Sequence, residues 1–186
     1  MEEIDFYLEH AQESMDKSVS HMVVELGKIR AGKASPNMLD SLSVDYYGNP
    51  TPINQVATVN TPDARTISIK PWEKNMIQEI EKAIINSDLG FNPQNDGELI
   101  RINIPALTEE RRRALVKQAK AEAENGKISV RNARKDTNDS LKKLLKDGAS
   151  EDMIKDAEDE VQKITDAHVK KIDDILSQKE EDIMTI

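Results

Sequence analysis

PALTEERRRALVKQAKAEAENGKISVRNARKDTNDSLKKLLKD, residues 105–147, decides the fold. Pro105 and Thr108 open the stretch and Gly148 closes it. Between them stand one glycine, Gly126, and no further proline. Thr108 has the side chain of an N-cap, and Glu109 and Glu110 suit the positive end of a helix. Apolar or small residues recur at Leu115, Ala119, Ala123, Gly126, Val130, Ala133, Thr137, Leu141 and Leu144. Those steps of three and four are the helical period. Arg113, Lys117, Lys120, Lys127, Arg131 and Arg134 form a second series, held within an arc of about 100° beside the apolar stripe. One helix thus carries a core seam and a basic ridge, over about 55–60 Å at the helical rise per residue.

Upstream, residues 2–30 predict a first long helix. Ile4, Leu8, Ala11, Met15, Val19, Met22, Leu26 and Ile29 step by three or four throughout. The pattern stops at Gly32 and Pro36, both helix breakers. Leu42, Val44 and Tyr46 then alternate as a strand, Tyr47 to Pro52 reads as a turn or loop, and Val56 to Val59 and Thr66 to Ile69 are β-prone. Glu73 to Asn86 predicts a short helix with Met76, Ile77, Ile80 and Ile84 on one face. Asn95-Asp96-Gly97 reads as a turn, and Ile100, Ile102 and Ile104 as a last strand. Downstream, Ser150 serves as N-cap of a third helix reaching about Asp182, with Ile154, Ala157, Val161, Ile164, His168, Ile172 and Ile175 as its stripe.

Three long helices with matched seams bury them most simply against one another. The expected fold is therefore α+β, a long three-helix bundle from residues 1–30 and 105–186 with a small β/α/β domain, residues 31–104, inserted between helices one and two. Two covalent crossings join the parts, so Arg30, Ala31, Gly32, Ile104, Pro105 and Ala106 are candidate hinge residues.

The chain of 186 residues is 37% hydrophobic and 33% charged, with a net charge of −9. That net value hides a local exception. In residues 108–135 nine cations face four glutamates, whereas residues 151–186 sum to −7. Potential is set within about a Debye length, ~8–10 Å, so an acidic chain can hold a polyanion on one basic helix. The ridge lacks aromatic residues, which favours RNA phosphates and shape over stacked bases.

Catalytic signals are missing. Cysteine is absent, no glycine loop suits a phosphate, and no histidine pair has i,i+4 spacing. His168 falls on the helix-three seam and reads as a packed core residue, while His10 and His21 read as solvated or edge positions. Gly126 predicts a close helix–helix approach. Tyr46 and Tyr47 either pack in the small domain or present one ring at an interface. No catalytic residue, metal ligand or cofactor is expected. The acidic N-terminus lacks the features of a signal peptide and no apolar run suits a membrane span, so the expectation is a cytoplasmic protein without membrane contact. A non-catalytic helical protein–protein adaptor shares the same periodicity; steep salt dependence of binding separates the RNA reading from it.

Several segments carry a family resemblance. Lys28-Ile29-Arg30-Ala31-Gly32-Lys33-Ala34-Ser35-Pro36, Asp45 to Pro52, Glu81 to Ile84, Ser87 to Gly90, Pro105 to Arg112 and Val130-Arg131-Asn132-Ala133-Arg134-Lys135-Asp136 resemble ribosome recycling factors, in order and over essentially the whole chain. The resemblance implies a three-helix bundle with a hinged β/α/β domain, L-shaped like tRNA. It implies a monomer that binds the post-termination ribosome in the intersubunit space. There, with elongation factor G and GTP, it splits the subunits so that mRNA and tRNA are released. It also implies large-subunit rRNA contacts at Arg131 and Arg134, helped by Arg112, Lys117, Lys120 and Arg30, with Arg113 and Lys127 added from the ridge itself.

Overall fold

The computed structural model describes residues 2–185. The chain divides into two compact units, Met1–Ala31 with Glu109–Ile186, and Gly32–Thr108. The fold class is α+β.

The first unit consists of α1 (Glu2–Gly27), α3 (Glu109–Lys146) and α4 (Glu151–Met184), each in contact with the other two. Their seams follow the expected stripes. Ala11, Met15, Val19, Met22 and Leu26 of α1 are buried, as are Leu115, Ala119, Ala123, Val130 and Leu141 of α3. Each large aliphatic side chain so buried contributes about 1.5–3 kcal/mol. At Gly126 an added Cβ would lie 3.1 Å from Met22 Sδ, so α1 and α3 approach closely there. The tight connection between α3 and α4 uses Gly148 at φ +103, a backbone state that favours glycine.

Two details depart from the expected helices. α1 ends at Gly27, not near Arg30. Its last turn tightens as Lys28 N donates to Glu25 O and Ile29 N to Leu26 O, which still buries Ile29. On α4 the core position belongs to Thr165 at 2% exposure, with Ile164 half-buried. Thr165 is tolerated because its hydroxyl donates to Val161 O at 2.7 Å.

The second unit contains a β1–β2 hairpin (Ser43–Tyr46 and Asn49–Pro52) and a four-stranded antiparallel sheet ordered β3-β4-β6-β5. Its strands are β3 (Ala57–Asp63), β4 (Thr66–Pro71), β5 (Pro93–Asn95) and β6 (Ile100–Asn103). The helix α2 (Ile77–Ile85) buries Ile77, Ile80 and Ile84 in the same core. Central strands pair Ile67 with Ile102 and Ile69 with Ile100, all fully buried, as period-two alternation requires. Of the segment Tyr47 to Pro52, the first two residues form the expected turn, whereas Asn49–Pro52 is a strand. Tyr47 (φ 49) and Gly48 (φ 86) make a two-residue turn, and Gly48 N donates to Asp45 Oδ1 at 2.7 Å. Pro50 and Pro52 are accommodated because β2 pairs on one side only. Strand β5 is likewise additional to the expected elements.

The entrance and exit of this unit are held by the same turn. Ala34 N donates to Ala64 O and Ile104 N to Arg65 O, each at 2.7 Å. Gly32, at φ +71, is covered by Leu107. Of the candidate hinge residues, Arg30 and Ala31 fall in the first unit; Gly32, Ile104, Pro105 and Ala106 fall in the second, whose far boundary lies at Thr108.

Candidate nucleic-acid interface

Helix α3 displays the basic ridge along one flank of its buried stripe. The side chains do not all point the same way. Three lean across the seam toward α4. Lys120 Nζ lies 3.7 Å from Glu180 Oε1, Lys127 pairs with Asp173, and Arg134 Nη1 donates to Gln162 Oε1 at 3.2 Å. The partners descend in number as the cations ascend, which is the signature of antiparallel neighbours. Lys127 is largely enclosed, with its side chain 20% exposed, against 63% for Lys120.

The remaining ridge cations stand on the outer side. Arg113 pairs with Glu109 one turn back. Arg131 reaches Glu124 at 3.3 Å, with its side chain half exposed. Lys117 is exposed and makes no ion pair among the described residues. Arg112 is half-buried at the start of α3, and Arg30 is exposed beyond the end of α1. The expected ridge therefore resolves into an outer edge of Arg113, Lys117 and Arg131, and an inner row whose charge is shared with acidic α4. Exposed ion pairs of this kind are worth about 0–1 kcal/mol, so a phosphate competes readily for the outer cations. Gln162 is a neighbour of the candidate site that single-helix reasoning misses. It also donates to Asp166 at 2.8 Å, which fixes the amide that holds the Arg134 guanidinium.

His168 is buried on the seam between α1 and α4. Its Nδ1 faces Ile164 O and its Nε2 faces Asp16 Oδ1, each at 2.7 Å. The Gln12 Nε2 amide lies 3.3 Å from His168 Nε2 as well. The His168 hydrogen bond holds the Asp16 carboxyl below its ordinary value of 3.8, helped by the Gln12 amide. His10 and His21 are exposed. No group of three or more metal-ligating side chains is assembled among the described residues, and none of their helices is long and apolar enough to cross a membrane.

In the second unit Tyr46 packs against the core, while Tyr47 is 66% exposed. Both hydroxyls donate to Glu73, at 3.0 and 2.9 Å, and Asn75 Nδ2 donates to Tyr47 Oη at 2.9 Å. The Glu73 hydrogen bond pushes the Tyr46 hydroxyl above its ordinary value.

Fold and site together define a class: an α+β protein of three long helices with an inserted antiparallel unit and a cationic helix flank. Residues 22–184 match the family description Ribosome recycling factor. The chain is 62% identical over 165 residues to the ribosome-recycling factor of Cytophaga hutchinsonii, covering 89% of each. It is 58% identical over 164 residues to that of Flavobacterium johnsoniae, covering 88% of each. A solution structure of ribosome recycling factor superposes with a TM-score of 0.73 at 34% identity, covering all of both chains. The T. thermophilus ribosome recycling factor, described with E. coli elongation factor G bound to the E. coli post-termination complex, matches at 44% identity. Its TM-score is 0.61, and the match covers 98% of this chain and 99% of that one. This chain belongs to the ribosome recycling factor family.

Proposed function

We propose that this protein acts without catalytic chemistry of its own, in the cytoplasm, as a monomer. It binds the post-termination ribosome in the intersubunit space and, with elongation factor G and GTP, separates the subunits so that mRNA and tRNA leave. The observation that carries this reading is the outer edge of α3. Arg113, Lys117 and Arg131 stand exposed on a rigid helix of 38 residues in an otherwise acidic chain. A guanidinium fork and mobile ammonium groups suit rRNA phosphates, and no aromatic side chain interrupts them. Membership of the family supports the ribosome as target, and the T. thermophilus relative bound to a post-termination complex with elongation factor G supports the partner.

In the mechanism, the rRNA contacts of α3 anchor the first unit. Arg112, Lys120, Arg134 and Arg30 supply further charge at its margins, while Lys127 is neutralised by Asp173. The GTPase does the hydrolysis and displaces the second unit. The chain bends at its two crossings, Arg30 to Gly32 and Ile104 to the Thr108–Glu109 boundary, and the anchored helices resist. Work done by the GTPase then falls on contacts between the subunits. The test is light scattering of post-termination ribosomes with this protein, elongation factor G and GTP, each omitted in turn. Subunit separation is expected only with all three. Separation that persists without this protein overturns the reading.

A further inference from the structure

We propose that the groove between α1 and the C-terminal half of α3 is a docking site for an arginine-bearing peptide segment. The inference goes beyond the rRNA reading and stands without it. The motif Val130 to Asp136 splits between two faces of α3. Arg131 and Arg134 belong to the ridge, while Asn132, Ala133 and Asp136 line a groove of about 530 Å³. The ridge gives these last residues no role.

The groove's chemistry is the inverse of the ridge's. Among the described residues, no lysine or arginine lines it. Three of its hydroxyls spend their protons on their own helix: Ser18 on Ser14 O at 3.0 Å, Thr137 on Ala133 O at 2.9 Å and Ser140 on Asp136 O at 3.0 Å. Each such oxygen offers lone pairs and no proton outward. The Asp136 carboxylate adds a formal charge. With one carboxylate, no lysine or arginine and three hydroxyls that face outward as acceptors, the lining favours a positively charged ligand.

The aromatic end narrows the choice. Phe6 is 62% exposed, in a chain with only six aromatic residues. Its ring lies within 8° of parallel to His10, with centroids 6.2 Å apart, and Tyr7 meets it edge-on at 5.7 Å. The ring is thereby braced by two neighbours while most of it stays exposed. A planar guanidinium stacks on such a ring and still carries five N–H donors for the hydroxyls and Asp136. A phosphate backbone finds no lysine or arginine here and is repelled by Asp136, so nucleic acid is the disfavoured occupant.

The test is a titration of the full chain with the capped peptide acetyl-Gly-Arg-Gly-Arg-Gly-amide, followed by backbone amide NMR. Shifts are expected to concentrate in residues 6–18 and 129–140. The double variant Phe6→Ala/Asp136→Asn, both exposed positions, is expected to bind about ten-fold more weakly, from loss of one cation–π contact and one charged contact. Asp159→Asn on α4 makes the same charge change away from the groove and leaves affinity unchanged. Shifts spread along α4, equal weakening by Asp159→Asn, or no weakening by the double variant overturns the proposal. So does a hexauridylate that shifts the groove amides more strongly than the peptide.

Discussion

Arg131→Ala probes the rRNA interface where the sequence and the geometry meet. A hydrogen bond to a charged group is worth about 1.5–3 kcal/mol. Arg131 must first leave Glu124, an exposed pair 3.3 Å apart, which costs up to about 1 kcal/mol. The net loss is therefore about 1–2 kcal/mol, a five- to thirtyfold rise in Kd. Glu124→Gln acts in the opposite direction, because it frees the guanidinium and removes a repelled carboxylate; affinity is expected to rise by up to about fivefold. Lys127→Ala is the internal control. Its ammonium is mostly enclosed and already paired with Asp173, so its loss changes affinity by less than about twofold. The assay is co-sedimentation with vacant ribosomes over a series of salt concentrations. Arg131→Ala should also lower the dependence of log affinity on log salt by about one. A folded Arg131→Ala protein with unchanged affinity and unchanged salt slope refutes the reasoning.

Three further outcomes follow from the packing. Asp16→Asn replaces the charged acceptor facing His168 Nε2 with a neutral amide and is expected to cost about 1 kcal/mol at pH 6, after allowance for the exposure of Asp16. Because the folded state depresses the Asp16 carboxyl, its contribution is present above the ordinary value of 3.8 and is lost as pH falls through the lower folded value. Urea unfolding of both proteins between pH 3 and pH 6 checks that the gap closes toward acid. Gly32→Ala places a Cβ 2.5 Å from Leu107 Cγ at φ +71, and is expected to destabilise the second unit by about 2–4 kcal/mol, read as a lower midpoint of thermal unfolding. Leu141→Ala, at a fully buried position shared by α3 and α4, is expected to cost about 2–5 kcal/mol in the first unit, measured by urea unfolding.

The long helices were legible because a seam repeats every three or four residues and every repeat restates the same face. Thr165 shows the limit of that logic. Ile164 and Thr165 both fit the helical period, and hydropathy favours the isoleucine. A back-bonded hydroxyl, invisible in sequence, lets the threonine take the core. Asn49 to Pro52, read as part of a turn or loop, was missed as a strand for a different reason. Two prolines signal a break, but a strand paired on one side only leaves alternate backbone nitrogens without a partner, so a proline there loses no ladder bond. The basic ridge was legible as a stripe on α3. Its division into outer and inner cations was not, because Glu180, Asp173 and Gln162 lie on another helix and the pairing depends on how the Gly148 turn sets the register. The groove was also hidden, since the serines that line it look like ordinary polar surface until α1 and α3 are set side by side.

The two hydrogen bonds from Ala34 and Ile104 to one turn, Ala64-Arg65, bear on how the chain assembles. α1 and α3 must meet across the whole insertion, and loop closure costs about 0.6 kcal/mol more for each doubling of length. Once the second unit has formed, its two ends sit side by side, and the search by α1 for α3 becomes that of a short connection. The insertion is thus a self-closing clasp, and the order of folding that minimises lost chain entropy runs from the sheet outward to the helices.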